Sequence, residues 1–219
     1  KNPMSTARAE KDAFEVQSGF FNGYTTGTPL CAIIRNSDQH SRDYDQLRHL
    51  MRPGHADYSG KIRYGGFNDY RGGGHFSGRL TAPLVFAGAV ASQILARHGI
   101  TVGSHILRLA GIADKPFTAI GETAETLQAL KKETLPVLDK AQAGLMEEKI
   151  LAAKNDLDSV GGVIECMITG LPAGIGDPFF DSVESQLSHM MFSVPAVKGI
   201  EFGDGFALAD LRGSQANDD

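Results

Sequence analysis

Between Gly54 and Gly78 the chain places eight glycines in 25 positions, threads them with Arg63, Arg71, His55, His75, Asp57 and Asp69, and flanks them with Arg52 and Arg79. Glycine lets a backbone approach a ligand closely and reach positive φ. Arginine carries a planar fork of donors that fits carboxylate and phosphate. A histidine among such groups can move protons near neutral pH. Together these types describe a loop-built site for a polyanionic ligand with acid–base chemistry beside it; the bland alternative is a glycine-rich surface loop.

Two segments carry most of the signal. In Arg52-Pro53-Gly54-His55-Ala56-Asp57, Pro53 and Gly54 form a turn that presents Arg52 and His55 from a fixed backbone. His55 and Asp57 lack a third ligand at a metal-site spacing, so no metal is expected. Arg71-Gly72-Gly73-Gly74-His75-Phe76-Ser77-Gly78-Arg79 resembles a phosphate-cradling loop that runs into a helix N-terminus. It has no Gly-Lys-Ser/Thr, so it is not a Walker loop, and no strand feeds a Gly-x-Gly-x-x-Gly. Lys198 is a further anion contact of low specificity. Nothing looks like a nucleophile elbow.

The elements that must position these residues follow from periodicity and punctuation. Residues 12–18 alternate apolar and polar as a half-buried strand, and Asn22-Gly23 marks a turn. Residues 28–35 are an apolar run suited to a strand buried on both faces. Residues 41–50 read as a short helix capped by Ser41. The glycine–arginine stretch follows as a long irregular segment. Residues 82–98 form the clearest helix, with Pro83 in its first turn and Gly99 at its end, apolar nearly all round and so expected to be buried. Residues 100–109 read as a strand in which His105 is structural. Helices are expected at 121–133, 137–154 and 180–192, the last with Met190 and Met191 in the core. A strand at 158–169 is interrupted by Gly161-Gly162, a place for close approach of another backbone or a ligand, and a further strand is expected at 196–203. The mixed order is not the strict alternation of a doubly wound sheet. Blocks before and after about residue 115 read as two halves of one layered domain.

Composition narrows the class. The chain has 219 residues, 42% of them hydrophobic, enough for a core. The net charge of −5 argues against a partner with a phosphate backbone. No run reaches the apolar length of a bilayer span on this reading, and no membrane partner is expected. Cys31 and Cys166 fall in apolar runs and read as buried thiols, which favours a reducing, cytoplasmic compartment.

The motifs, in their order along the chain, resemble those of chorismate synthase. They are Thr25-Thr26-Gly27-Thr28-Pro29, Asn36-Ser37-Asp38-Gln39 with Asp43-Tyr44, Arg52 to Asp57, Asp69 to Gly74, Asp158 to Gly162, Leu171 to Pro178, Ala196 to Gly199, Gly203 to Phe206 and Arg212 to Gln215. The resemblance implies one α+β domain over residues 1–219, a β-α-β sandwich incomplete at both ends. It implies a lyase of the shikimate pathway that converts 5-enolpyruvylshikimate-3-phosphate to chorismate and phosphate by 1,4-anti elimination. It further implies dependence on reduced FMN, an association with NADP, and a homotetramer. By the same resemblance His55 and Ser77 are catalytic, and Arg8, Arg52 and Arg79 bind substrate. His75, Phe76 and Ser77 form an FMN-contacting triplet, and Pro195 and Ala196 a second FMN-contacting pair. The chain departs from the family at His75, usually arginine, at Leu80, usually glutamate, and at Pro195, commonly asparagine. The family's Gly-Glu-Ser-His-Gly motif would precede Lys1, and further flavin-binding residues would follow Asp219. These 219 residues alone are therefore expected to lack full activity. Two other readings stay open: a non-catalytic flavin- or anion-binding module on the same scaffold, and a metal-dependent phosphoesterase using His55, Asp57 and Asp69.

Overall fold

The computed structural model describes residues 3–4, 11–36, 50–118 and 120–217. It contains mixed helices and antiparallel sheets, the α+β class expected. Strand β1 (Phe14–Ser18) pairs with β4 (Cys31–Ile34), Phe14 opposite Ile34 and Val16 opposite Ala32. Between them β2 (Phe20–Phe21) and β3 (Tyr24–Thr25) form a tight hairpin. Its turn is Asn22-Gly23, with φ of 47° and 86°, the paired positive values that match the twist of a two-residue hairpin.

The better-packed half is a three-stranded sheet in the order β6-β5-β7. Strand β5 (Thr101–Leu109) runs antiparallel to β7 (Gly162–Thr169), and β6 (Ile112–Ala113) returns along its other edge. Helix α3 (Ala124–Leu130) lies on β5, directly over Gly103. Helix α4 (Lys140–Asn155) completes the layer. Thr123 caps α3 by accepting the Thr126 N–H at 3.2 Å, and Asp139 caps α4 by accepting from Ala141 at 3.0 Å. Two buried clusters fill the layer: Ile106, Val137 and Met146 in one, Phe117, Leu127 and Leu130 in the other. Gly162 is needed in β7, because a Cβ there would lie 2.7 Å from the Arg108 carbonyl oxygen. Of the backbone or ligand approach expected at Gly161-Gly162, the backbone one is found, at Gly162.

The blocks before and after residue 115 share one sheet, since β5 and β7 pair across it. Several expectations are corrected. Residues 28–35 do not form a strand buried on both faces: β4 covers only Cys31–Ile34, and its residues alternate between exposed and half-buried, with β1 its one strand partner among the described residues. Cys31 and Cys166 are both exposed free thiols rather than buried ones. Helix α2 (Thr81–Arg97) matches the expected span but has no buried residue. The stretch Gly78–Arg97 is also long and apolar enough to cross a membrane by length and composition, which overturns the reading that no run reaches that length. Met190 and Met191 are surface residues of α5 (Val183–Met191). No strand forms at 196–203, where the chain turns irregularly. The helix expected at 41–50 lies outside the described residues except for Leu50.

Candidate active site

The glycine–arginine stretch is not structureless. It holds a short helix, α1 (Asp57–Arg63), and two 3-10 turns, Arg71–Phe76 and Gly78–Leu80, the second leading into α2. Gly54 has φ of 74°, and the His55 N–H donates to the Arg52 carbonyl at 3.3 Å. This is the turn expected of Pro53-Gly54, and it presents His55 to solvent.

Asp57 organises the segment. Its carboxylate accepts from Arg52 Nε at 2.9 Å, Nη2 at 2.9 Å and the backbone N–H at 3.0 Å. The Arg52 fork holds the Asp57 carboxyl below the ordinary carboxylate range, outweighing the opposing effect of burial. The pair is partly buried, which lessens its screening by solvent. Asp69 takes Arg71 the same way, from Nε and Nη2 at 2.8 Å each, and its pKa is lowered to about 2 by that contact. Both aspartates that a metal would require are thus committed to arginine. Among the described residues no group of three His, Cys, Asp or Glu could hold a metal ion.

The 75–77 segment is set by its neighbours. Gly73 and Gly74 have φ of 82° and 51°, which winds the turn so that Phe76 comes back over α1. Phe76 packs against Gly60, where no side chain would fit, and its ring lies 6.4 Å from that of Tyr64. Ser77 Oγ accepts the Arg79 N–H at 3.2 Å and so caps the next turn. Arg79 Nη1 makes a close ion pair with Asp12. His75 is exposed.

A cavity of about 340 Å³ opens between α1 and these turns, within the range of small-molecule sites. Asp57, Lys61, Phe67, Asp69, Tyr70 and Phe76 are among its lining residues. It therefore joins the Arg52–Asp57 unit to the 75–77 segment. His55, His75, Ser77 and Arg79 are not in the lining. Pro195 and Ala196 form an exposed turn outside it, with Ala196 held at φ of 71°, a left-handed conformation that costs a non-glycine residue about 1–3 kcal/mol. Lys198 is exposed. Arg8 lies outside the described residues.

Sequence reasoning missed Lys61, Phe67 and Tyr70. The i, i+4 spacing of Asp57 and Lys61 was a usable signal once a helix is recognised there. It was hidden by glycines that suggested irregular chain. The Arg79–Asp12 pair spans 67 positions and left no local signal.

The chorismate synthase family model matches residues 1–219. The chain belongs to the chorismate synthase family. A chorismate synthase of Dehalococcoides mccartyi strain BAV1 is 44% identical over 214 residues, 98% of this chain and 58% of that protein. One from Chitinophaga pinensis is 46% identical and one from Korarchaeum cryptofilum 42%. A solved chorismate synthase structure superposes with a TM-score of 0.72 at 27% identity, covering 95% of this chain and 59% of that one. The chain thus spans under two thirds of the length of these chorismate synthases.

Proposed function

We propose that this chain carries part of the active site of a chorismate synthase, a lyase that eliminates phosphate from 5-enolpyruvylshikimate-3-phosphate in a 1,4-anti sense. The reading rests on family membership and on one observation: the cavity unites Asp57, which orients Arg52, with Phe76 of the 75–77 segment. The substrate bears two carboxylates and a phosphate, and Arg8, Arg52 and Arg79 are the residues we assign to bind it. Asp57 and Asp12 orient two of those guanidinium groups before any ligand arrives.

Reduced FMN, where bound, supplies the electron-rich partner that lets phosphate leave without net redox change. The chemistry of the lining suits it: aromatic residues at Tyr70 and Phe76, and a cation at Lys61. His75, Phe76, Ser77, Pro195 and Ala196 are assigned to its contacts. His55 holds and moves a proton at its imidazole, and Ser77 relays one at Oγ. The protein acts in this reading as one domain over 1–219 within a cytoplasmic homotetramer.

The test is His55→Ala in the full-length protein, with anaerobic turnover and FMN titration side by side. Turnover is expected to fall about 10²- to 10⁴-fold with FMN affinity retained. Unchanged turnover removes His55 from its role.

A further inference from the structure

The cavity has an electrostatic asymmetry that family membership does not explain. Both carboxylates in its lining, Asp57 and Asp69, are neutralised by the forks of Arg52 and Arg71. The remaining charged side chain of the lining is Lys61, which makes no ion pair among the described residues. It stands one helical turn after Asp57 on α1, so both face the same side. The Lys61 carbonyl accepts the Gly66 N–H at 2.8 Å. That bond closes the helix, and Phe67 follows at the rim of the cavity with its side chain almost fully exposed. Gly66, with φ of 83° and open space where a Cβ would stand, keeps that wall bare backbone. The net result is an open cavity with one solvent-exposed cation, Lys61, and two aromatic residues, Tyr70 and Phe76, in its wall.

We propose that Lys61 is a phosphate anchor: its ammonium takes a phosphate monoester whose attached ring system lies against Tyr70 and Phe76. The inference rests on the function proposed above, which offers two such esters, the flavin mononucleotide and the substrate. The aromatic lining favours the flavin. Lysine suits a phosphate that must be held but not oriented, since it acts as a point charge with rotatable donors.

The test compares FMN with riboflavin, which lacks the phosphate, in the full-length protein and its Lys61→Gln and Lys61→Arg variants. For Lys61→Gln the FMN dissociation constant is expected to rise about tenfold to a hundredfold, as for a lost charge-assisted hydrogen bond. Riboflavin binding stays level, and Lys61→Arg retains most FMN affinity. If FMN binding holds and the KM for 5-enolpyruvylshikimate-3-phosphate rises by that factor instead, the anchor stands and its phosphate is the substrate's. The anchor is overturned if neither constant moves, or if riboflavin weakens as much as FMN. A parent protein that binds neither flavin overturns the functional reading itself, a result separate from any effect of Lys61.

Discussion

His105 and His55 stand in opposite surroundings. His105 is fully buried on β5, its Nδ1 3.0 Å from Asp114 and its Nε2 2.7 Å from Glu165. Every group around it is engaged in turn. Glu165 accepts the Phe117 N–H at 2.8 Å, and Asp114 accepts the N–H groups of Leu138 at 2.6 Å and Asp139 at 2.9 Å. The Phe117 ring lies 4.5 Å from the imidazole. Burial opposes the Asp114 charge, but backbone donors and His105 outweigh it and hold the carboxyl below its ordinary range. His55, by contrast, is exposed on a turn, and its neighbours form ion pairs in partial or full contact with water. A polar cluster whose donors and acceptors are satisfied internally serves architecture. One whose charges face solvent remains able to exchange partners with a ligand.

Three measurements press on this contrast. The largest expected effect is from His105→Ala, which removes the imidazole that bridges Asp114 and Glu165 and leaves a cavity in the β5–β7 layer. It should lower unfolding free energy by about 3–5 kcal/mol, read by urea denaturation. A loss as small as that of His55→Ala would erase the distinction. Next, Gly103→Ala places a Cβ 2.6 Å from Leu127 Cβ and should cost about 1–3 kcal/mol by overpacking, with flavin affinity unaltered. A change in flavin affinity would show that the two regions are coupled.

The smallest effect concerns acid. Asp114 and Asp57 both have folded-state pKa values below the ordinary carboxylate range. Each therefore contributes stability that is present above an unfolded value of about 4 and is lost as pH falls through the lower folded value. Melting temperature should decline below about pH 4, and less steeply in Asp114→Asn. Asp69→Asn, at an exposed pair, should leave the melting temperature within error at neutral pH. A drop there as large as that for Asp114→Asn would contradict the division.

The two regions also differ in how far they could be read from the chain alone. Strand β5, helix α2 and helix α4 were legible because apolar or amphipathic composition marks their spans and Gly99 ends α2. His105 read correctly as structural, yet its partners Asp114 and Glu165 did not, since Glu165 is 60 positions away and only the β5–β7 register sets it opposite. In the site, the Arg52–Asp57 turn was legible from Pro53-Gly54. Helix α1 was not, because Gly60 sits inside it. That glycine is there to admit the Phe76 ring, a tertiary requirement that mimics a loop signal. Burial of α2 and β4 was overestimated because apolar composition shows which surface seeks cover, not what covers it.

The close pair of Arg79 with Asp12 ties the head of α2 to the residues just before β1. On the substrate-binding role proposed for Arg79, an incoming carboxylate or phosphate would share that guanidinium with Asp12, so occupancy there and the tether to the residues before β1 would draw on the same fork of donors.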